Sequence, residues 1–577
     1  MSAEKPKPMK KVPKWKSSIV EHKPIVAAGL IAVVAIAGIV SSIYFLGEEE
    51  KKKGGTLNAD LGGFLNSFDP LYNPDDWSFW SNRIVWDQII EGLFTYDLSD
   101  EKRSIKPNLA KDYEWSEDGL NLTCQLRKRI TFHDGTSFNA AVVKWNFDRI
   151  YRIIDIMDWD DIWAWYYMYL QSDGKPIIND TKVIDEYTVR FVLNNPYVPL
   201  ISLLATMTSY ILSPSSTPEN DFVDRFTGKL IGTGPFKLES YVMDPIYGLS
   251  GNVTVIANRD YWDGKPLIRE VNFLYYDYDD AIEKMLSGEL SYTLGYDNIT
   301  LLDMYRNATA TTVVEQTRPV VFYLAMNNDI FPLEMRKAIS YAFNYSEYLK
   351  LWTDNLAIRC KSPLPKGMLY YNWDFKVAEY NVKIARQTLI DANWQGTEDL
   401  TADSDISPGN DWERLVDEGT PLETYNYSLI PEFNSHMFHA YLISKYAKQI
   451  GVKIELNNLT PQEYWDKMRK GGLDFYIVGW GAAFNDPVEI LNPLYSIYGD
   501  YNRINFYDPQ VQEWLEQGLI ETNEKARKHI YYNIQQRLVE ELYPVVYLYC
   551  ENWWHIWASN VKGVPAFSPI FKDAYLR

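Results

Sequence analysis

Residues 442–478 constrain the fold of this chain more than any other stretch, because helix and strand periodicities succeed one another there with clear stops between them. Leu442, Ile443, Tyr446, Ala447 and Ile450 fall on one helical face, and Gly451 supplies a C-terminal stop. Val452, Ile454 and Leu456 then alternate with Lys453 and Glu455, the two-residue period of a half-buried strand. Thr460, Pro461 and Glu463 suit the N-cap, first-turn and third positions of a capping box, so a second helix starts at Thr460. Gly471 and Gly472 break it before Phe475-Tyr476-Ile477-Val478, an apolar run of the kind found in strands buried on both faces. The pattern is a strand–helix–strand crossover. From Gly54 onward β-rich runs alternate with helical patterns and no repeat of fixed period occurs, which makes this α/β or α+β material. Ligands of open α/β sheets sit beyond the carboxyl ends of the strands, here Gly479-Trp480-Gly481, so the Trp480 indole is expected to face a cleft.

The length of 577 residues exceeds what one hydrophobic core serves, so two or more lobes are expected. Another amphipathic helix begins at Pro332, with Met335, Ala338, Ile339, Ala342 and Phe343 on the face that should pack on a sheet. Between 397 and 421, eight acidic residues, one Arg and Ser407-Pro408-Gly409-Asn410 read as a solvated acidic insertion. Asp403, Asp405 and Asp411 lack the glycine and distal glutamate of an EF-hand loop. The formal charge is −20 overall, and the chain beyond residue 53 is more acidic still, which argues against nucleic acid as a partner.

Residues 25–46 contain no charge, and 22 residues in a helix reach roughly 33 Å, enough to cross a hydrocarbon core once. Seven lysines precede this segment, whereas Lys51 to Lys53 after it are offset by Glu48 to Glu50, so the N-terminus should stay inside and the rest lie outside the cell. A cleaved signal peptide competes, since Ala35 and Ala37 form an A-x-A site, but cleavage there would leave an apolar stub; an uncleaved anchor is favoured. The three cysteines, Cys124, Cys360 and Cys550, are widely spaced and odd in number, and read most simply as buried apolar side chains.

Catalytic constellations are missing. No G-x-S-x-G, P-loop, H-E-x-x-H or G-x-G-x-x-G pattern occurs. His436 and His439 stand three apart without a recognisable third ligand, and His133 precedes the turn signal Asp134-Gly135. No catalytic residue, cofactor or metal is expected. A surface glycosidase using paired carboxylates is the rival enzyme reading, although no pair is singled out. Aromatic residues are plentiful, including Trp77, Phe79 and Trp80; most suit core packing, and Trp77 belongs to a segment expected to border a cleft.

Pro107-Asn108-Leu109-Ala110, Trp115-Ser116-Glu117-Asp118-Gly119 and Leu126-Arg127-Lys128-Arg129-Ile130-Thr131-Phe132-His133-Asp134-Gly135 resemble the N-terminal signature of the family 5 extracellular solute-binding proteins of ABC transporters, the dipeptide- and oligopeptide-binding group. Gly232-Thr233-Gly234-Pro235-Phe236, Tyr261 to Pro266, Arg336 to Ala342, Gly479-Trp480, Asp486-Pro487 and Tyr531 to Gln535 continue the resemblance in the same order. It implies an α/β fold of the two-lobe periplasmic-binding-protein type II (cluster C) with an extra inserted domain, here preceded by one N-terminal transmembrane helix. The expected organisation is a cytoplasmic basic N-terminus (1–24), an anchor (25–46), lobe I (54–97, 229–326 and 536–577), the inserted domain (98–228) and lobe II (327–535). The expected partners are a small-molecule solute and ABC permease subunits, with the chain acting as a monomer.

The expected ligand site is led by Trp480, followed by Phe484, Asn485 and Asp486 from the same loop and by Trp77 from the early aromatic segment. One departure bears on the solute. In peptide-binding relatives an aspartate three residues after the Gly-Trp tryptophan pairs with the peptide's α-ammonium, and here that position is Ala483. An ammonium buried without a partner costs several kcal/mol unless another carboxylate moves in. Asp486 precedes a proline where the family also has an acid, so a structural role competes with ligand binding. A peptide-like solute is preferred, and an oligosaccharide stacked on Trp480 and Phe484 is the alternative.

Overall fold

The capping box at Thr460 forms as its spacing predicts: the hydroxyl accepts the Glu463 N–H and the Glu463 carboxylate accepts the Thr460 N–H, opening the helix Pro461–Arg469. It joins the strands Val452–Asn458 and Phe475–Gly481, which run the same way. A further strand, Glu423–Leu429, lies between these two and parallel to both. In this computed structural model residues 54–72, 79–99, 103–156, 166–171, 174–224, 228–244, 250–295, 298–403, 405–565 and 569–577 are described. The segments 1–24 and 25–46 and Trp77 lie outside them. Among the described residues no helix is long and apolar enough to cross a membrane.

Two large sheets organise the body. The six-stranded sheet runs in the order Ile358–Arg359, Val545–Cys550, Val320–Met326, Phe475–Gly481, Glu423–Leu429, Val452–Asn458. Helix Leu333–Ala342 covers one face through Met335, Ala338, Ile339 and Ala342, against Leu324 and Met326 of the sheet. The seven-stranded sheet runs in the order Thr311–Thr317, Asn552–Ala558, Tyr292–Gly295, Thr56–Asp60, Glu270–Leu274, Asn252–Ala257, Phe236–Tyr241. A separate four-stranded antiparallel sheet, Ala110–Trp115, Asn121–Leu126, Thr188–Leu193 and Ile178–Asp185, packs under helix Ala140–Ile156 through contacts such as Phe147 on Phe191.

The chain passes between the large sheets at two adjacent points. Strand Thr311–Thr317 leads into Val320–Met326, and Val545–Cys550 leads into Asn552–Ala558. The crossings lie side by side: the Arg318 N–H donates to the Glu551 carbonyl, and the Arg318 guanidinium pairs with the Glu551 carboxylate. The expected boundaries at 326 and 536 do not coincide with these changes of sheet. Strands Val320–Met326 and Val545–Cys550 belong to the second sheet. Their apolar patterns reveal that they are buried, but not which sheet hosts them.

The acidic insertion is also more ordered than its composition suggests. Asn410 caps a short helix, Asp411–Asp417, whose Trp412 is fully buried beneath the Arg386 guanidinium; Arg386 in turn donates to Asn410 Oδ1. A single aromatic side chain supplies the anchor that the surrounding charges conceal.

Candidate ligand-binding site

The turn after strand Phe475–Gly481 is shaped by its glycines. A Cβ on Gly479 would lie 2.7 Å from the Phe322 ring of the neighbouring strand, and that ring is stacked on Tyr549 at 4.6 Å. Gly479 and Gly481 share this crowded face, and Trp480 projects from the other. Its indole N–H donates to the Glu489 carbonyl at 2.7 Å, and its ring lies 4.1 Å from that of Tyr501. Trp480 thus pins the turn 482–488 to helix Val488–Tyr495 and at the same time borders a cavity.

That cavity has a volume of about 870 Å³. Such a volume lies within the range of sites for small organic ligands. Met168, Ile177, Leu515 and Ile520 form apolar wall, and Arg318 and Pro319 bring the interlobe crossing to its edge. Helix Val488–Tyr495 contributes the polar wall through Glu489 and Asn492, three residues apart and hence on one face. Asn492 Oδ1 is a buried acceptor with no hydrogen-bond donor among the described residues. Glu489 Oε2 accepts the Ala483 N–H at 3.3 Å.

The Glu489 carboxyl is set deep in the protein and keeps part of its surface open to the cavity. Burial, only partly countered by the Ala483 N–H and reinforced by the nearby Asp486 charge, raises its pKa from an ordinary 4.5 to about 8. Tyr96 and Tyr197 are also close enough to feel its charge. The cavity wall includes two further acids, Asp500 and Glu516. Arg318, the cation on the wall among the described residues, is held by Glu551. The site is chemically suited to a solute that carries a cationic N–H donor group on an otherwise apolar frame.

The remaining expected site residues among those described do not line this cavity. Phe484 is 3% exposed and packs into the hydrophobic core of the first lobe, so it offers no stacking platform. Asn485 bridges the lobes: its N–H donates to the Tyr96 hydroxyl, its Nδ2 to the Arg103 carbonyl, and its Oδ1 accepts from the Leu369 N–H. Phe484 and Asn485 line a separate, 110 Å³ space between the lobes. Asp486 is buried and grips Arg527 with both oxygens, at 2.7 and 2.8 Å, leaving no carboxylate edge for a solute. Trp77 lies outside the described residues. Of the expected set, Trp480 borders the larger cavity. Glu489 and Asn492 do not stand out in the sequence, because an acid in the first turn of a helix ordinarily reads as a partner of the helix dipole. Their signal was the i, i+3 spacing directly after the Gly-Trp turn.

The parts built on the two large sheets are joined by paired crossings, and residues from both line the solute-sized cavity. Residues 104–502 match the family model for bacterial extracellular solute-binding proteins, family 5 (middle), and the chain belongs to that family. It is 23% identical over 503 residues to the probable D,D-dipeptide-binding periplasmic protein DdpA of Escherichia coli (strain K12), covering 84% of this chain and 86% of the relative. Among solved structures, HbpA2 from Haemophilus parasuis superposes with a TM-score of 0.74 at 20% identity, covering 91% of this chain and 100% of that one. The periplasmic binding protein DppA from Helicobacter pylori, solved with the peptide STSA, gives a TM-score of 0.67 at 22% identity, covering 92% of this chain and 99% of that one. The first of these relatives is named for binding a D,D-dipeptide and the last was solved with a peptide, and the family to which this chain belongs is one of solute-binding proteins.

Proposed function

We propose that this protein captures a peptide-like solute outside the cell and delivers it to an ABC permease, held at the membrane by the segment 25–46. The observation that carries the solute class is the Glu489 carboxyl on the cavity wall, beside the backbone of Ala483. It supplies the acid that position 483 lacks, and the unpaired Asn492 Oδ1 offers the same ammonium a second acceptor. Removing a peptide's α-ammonium from water requires such compensation. The relatives named for dipeptides, di- and tripeptides and glutathione support the reading. Closure around the solute is the hinge motion that the paired crossings at Arg318 and Glu551 allow.

Calorimetry of the full chain against panels of free peptides, N-acetylated peptides and oligosaccharides tests this. Binding heat is expected from free peptides and not from their acetylated forms. Heat from oligosaccharides alone, or equal affinity for acetylated peptides, overturns it.

A further inference from the structure

We propose that Cys360 and Cys550 are joined by a disulfide bond that staples the second lobe at the root of the interlobe crossing. Cys550 closes strand Val545–Cys550, and Cys360 follows strand Ile358–Arg359, its antiparallel neighbour. Ile358 faces Cys550 in the register and the Cys360 N–H donates to the Leu548 carbonyl, so the two cysteines are diagonal neighbours on one side of the sheet. Their sulfurs are 2.6 Å apart, 190 residues distant in sequence. Both side chains are buried, at 4% and 1% exposure. A metal reading lacks ligands: among the described residues no group of three or more His, Cys, Asp or Glu is placed to hold an ion. Cys124, buried on the four-stranded sheet, is the odd thiol left over, and burial pushes its pKa up to about 12.

The bond forms by exchange before the sulfurs are buried. A thiolate of the pair attacks the disulfide of an extracytoplasmic thiol oxidant, and the second thiolate displaces the oxidant from the mixed disulfide. Two protons and two electrons leave the cysteine pair, one Sγ–Sγ bond forms, and the oxidant departs as a dithiol. The inference rests on the extracellular setting of the family, where such bonds persist. The residue after Cys550 is Glu551, whose carboxylate holds Arg318 across the crossing. A covalent tie there confines the bending of closure to the crossing itself.

The test is thiol counting on the full chain, exported in a bacterial host, quenched in acid, extracted in detergent and alkylated with N-ethylmaleimide under denaturing conditions. One adduct per chain is expected without reductant and three with it, together with a reduction-sensitive cross-linked peptide containing Cys360 and Cys550. Three adducts without reductant, or a cross-link containing Cys124, count against the pairing unless a second arm rescues it. In that arm the chain is made in a reducing cytosol, unfolded, and refolded in a glutathione redox buffer. Formation of the 360–550 cross-link there supports the pairing even if the exported sample is reduced, and the location outside the cell is then what fails. Absence of the cross-link from both arms overturns the proposal.

Discussion

Replacing Glu489 by glutamine removes the one charge that the proposed peptide ammonium can meet on the helix Val488–Tyr495 while keeping the Ala483 N–H bond sterically possible. Breaking a fully buried ion pair by removing one partner costs about 3 to 5 kcal/mol; discounted for the part of Glu489 open to the cavity, about 2 to 3 kcal/mol remains, or about 30- to 150-fold in Kd for the charged form of Glu489 and about tenfold less at pH 7. The pH dependence is more diagnostic. With a pKa near 8 in the empty protein, Glu489 is mostly protonated at pH 7, so binding an ammonium there must expel a proton. A peptide α-amino group loses its own charge with a pKa of about 7.7 to 8.0. The two titrations together put the tightest binding near pH 8, with Kd about 20-fold weaker at pH 6 and about 4-fold weaker at pH 9. Calorimetry in buffers of different ionisation enthalpy should register about 0.8 proton released per peptide at pH 7 from the native chain. None should be released from Glu489→Gln, whose acid limb is flat. A quaternary-ammonium ligand should keep the acid limb and lose the alkaline one. Proton release that survives in Glu489→Gln, or an affinity independent of pH between 6 and 8, would refute the argument.

The same raised pKa makes Glu489 a stability sensor: its protonated form favours the fold, a contribution fully present below about pH 4.5 and lost as pH rises through about 8. The empty native chain should lose up to about 1.4 kcal/mol per pH unit across that window in urea melts, a slope absent from Glu489→Gln. Arg527→Ala strands the buried Asp486 carboxylate and should destabilise by about 3 to 5 kcal/mol, whereas the apolar double replacement Asp486→Leu/Arg527→Met should recover a large part of that loss in the same melts. Trp412→Ala should cost about 3 to 5 kcal/mol, and its effect should be read as early proteolysis within 397–421.

The elements most legible in the sequence are those whose stop signals are local. The Thr460 capping box, Gly451 with its positive φ, and the apolar face of the Pro332 helix all translate directly into observed structure. Sheet membership was not legible, since Val320–Met326 and Val545–Cys550 look alike as buried strands whichever lobe they join. Within the site, the position of Trp480 after a buried strand is a legible signal, whereas Phe484 and Asn485 share only its loop, Phe484 packing into the core and Asn485 bonding to Tyr96. Glu489 was hidden because its importance depends on a neighbour six residues back folding toward it. That encounter exists only once the turn 482–488 is closed by the Trp480 indole.

Phe484 reaches out from the second lobe and seats its ring in the oily interior of the first. If the jaws part on the hinge proposed above, they pull this aromatic plug from its socket against about 2 kcal/mol of lost burial. On that reading the empty molecule should favour the shut form about 30-fold, and Phe484→Ala should weaken that preference.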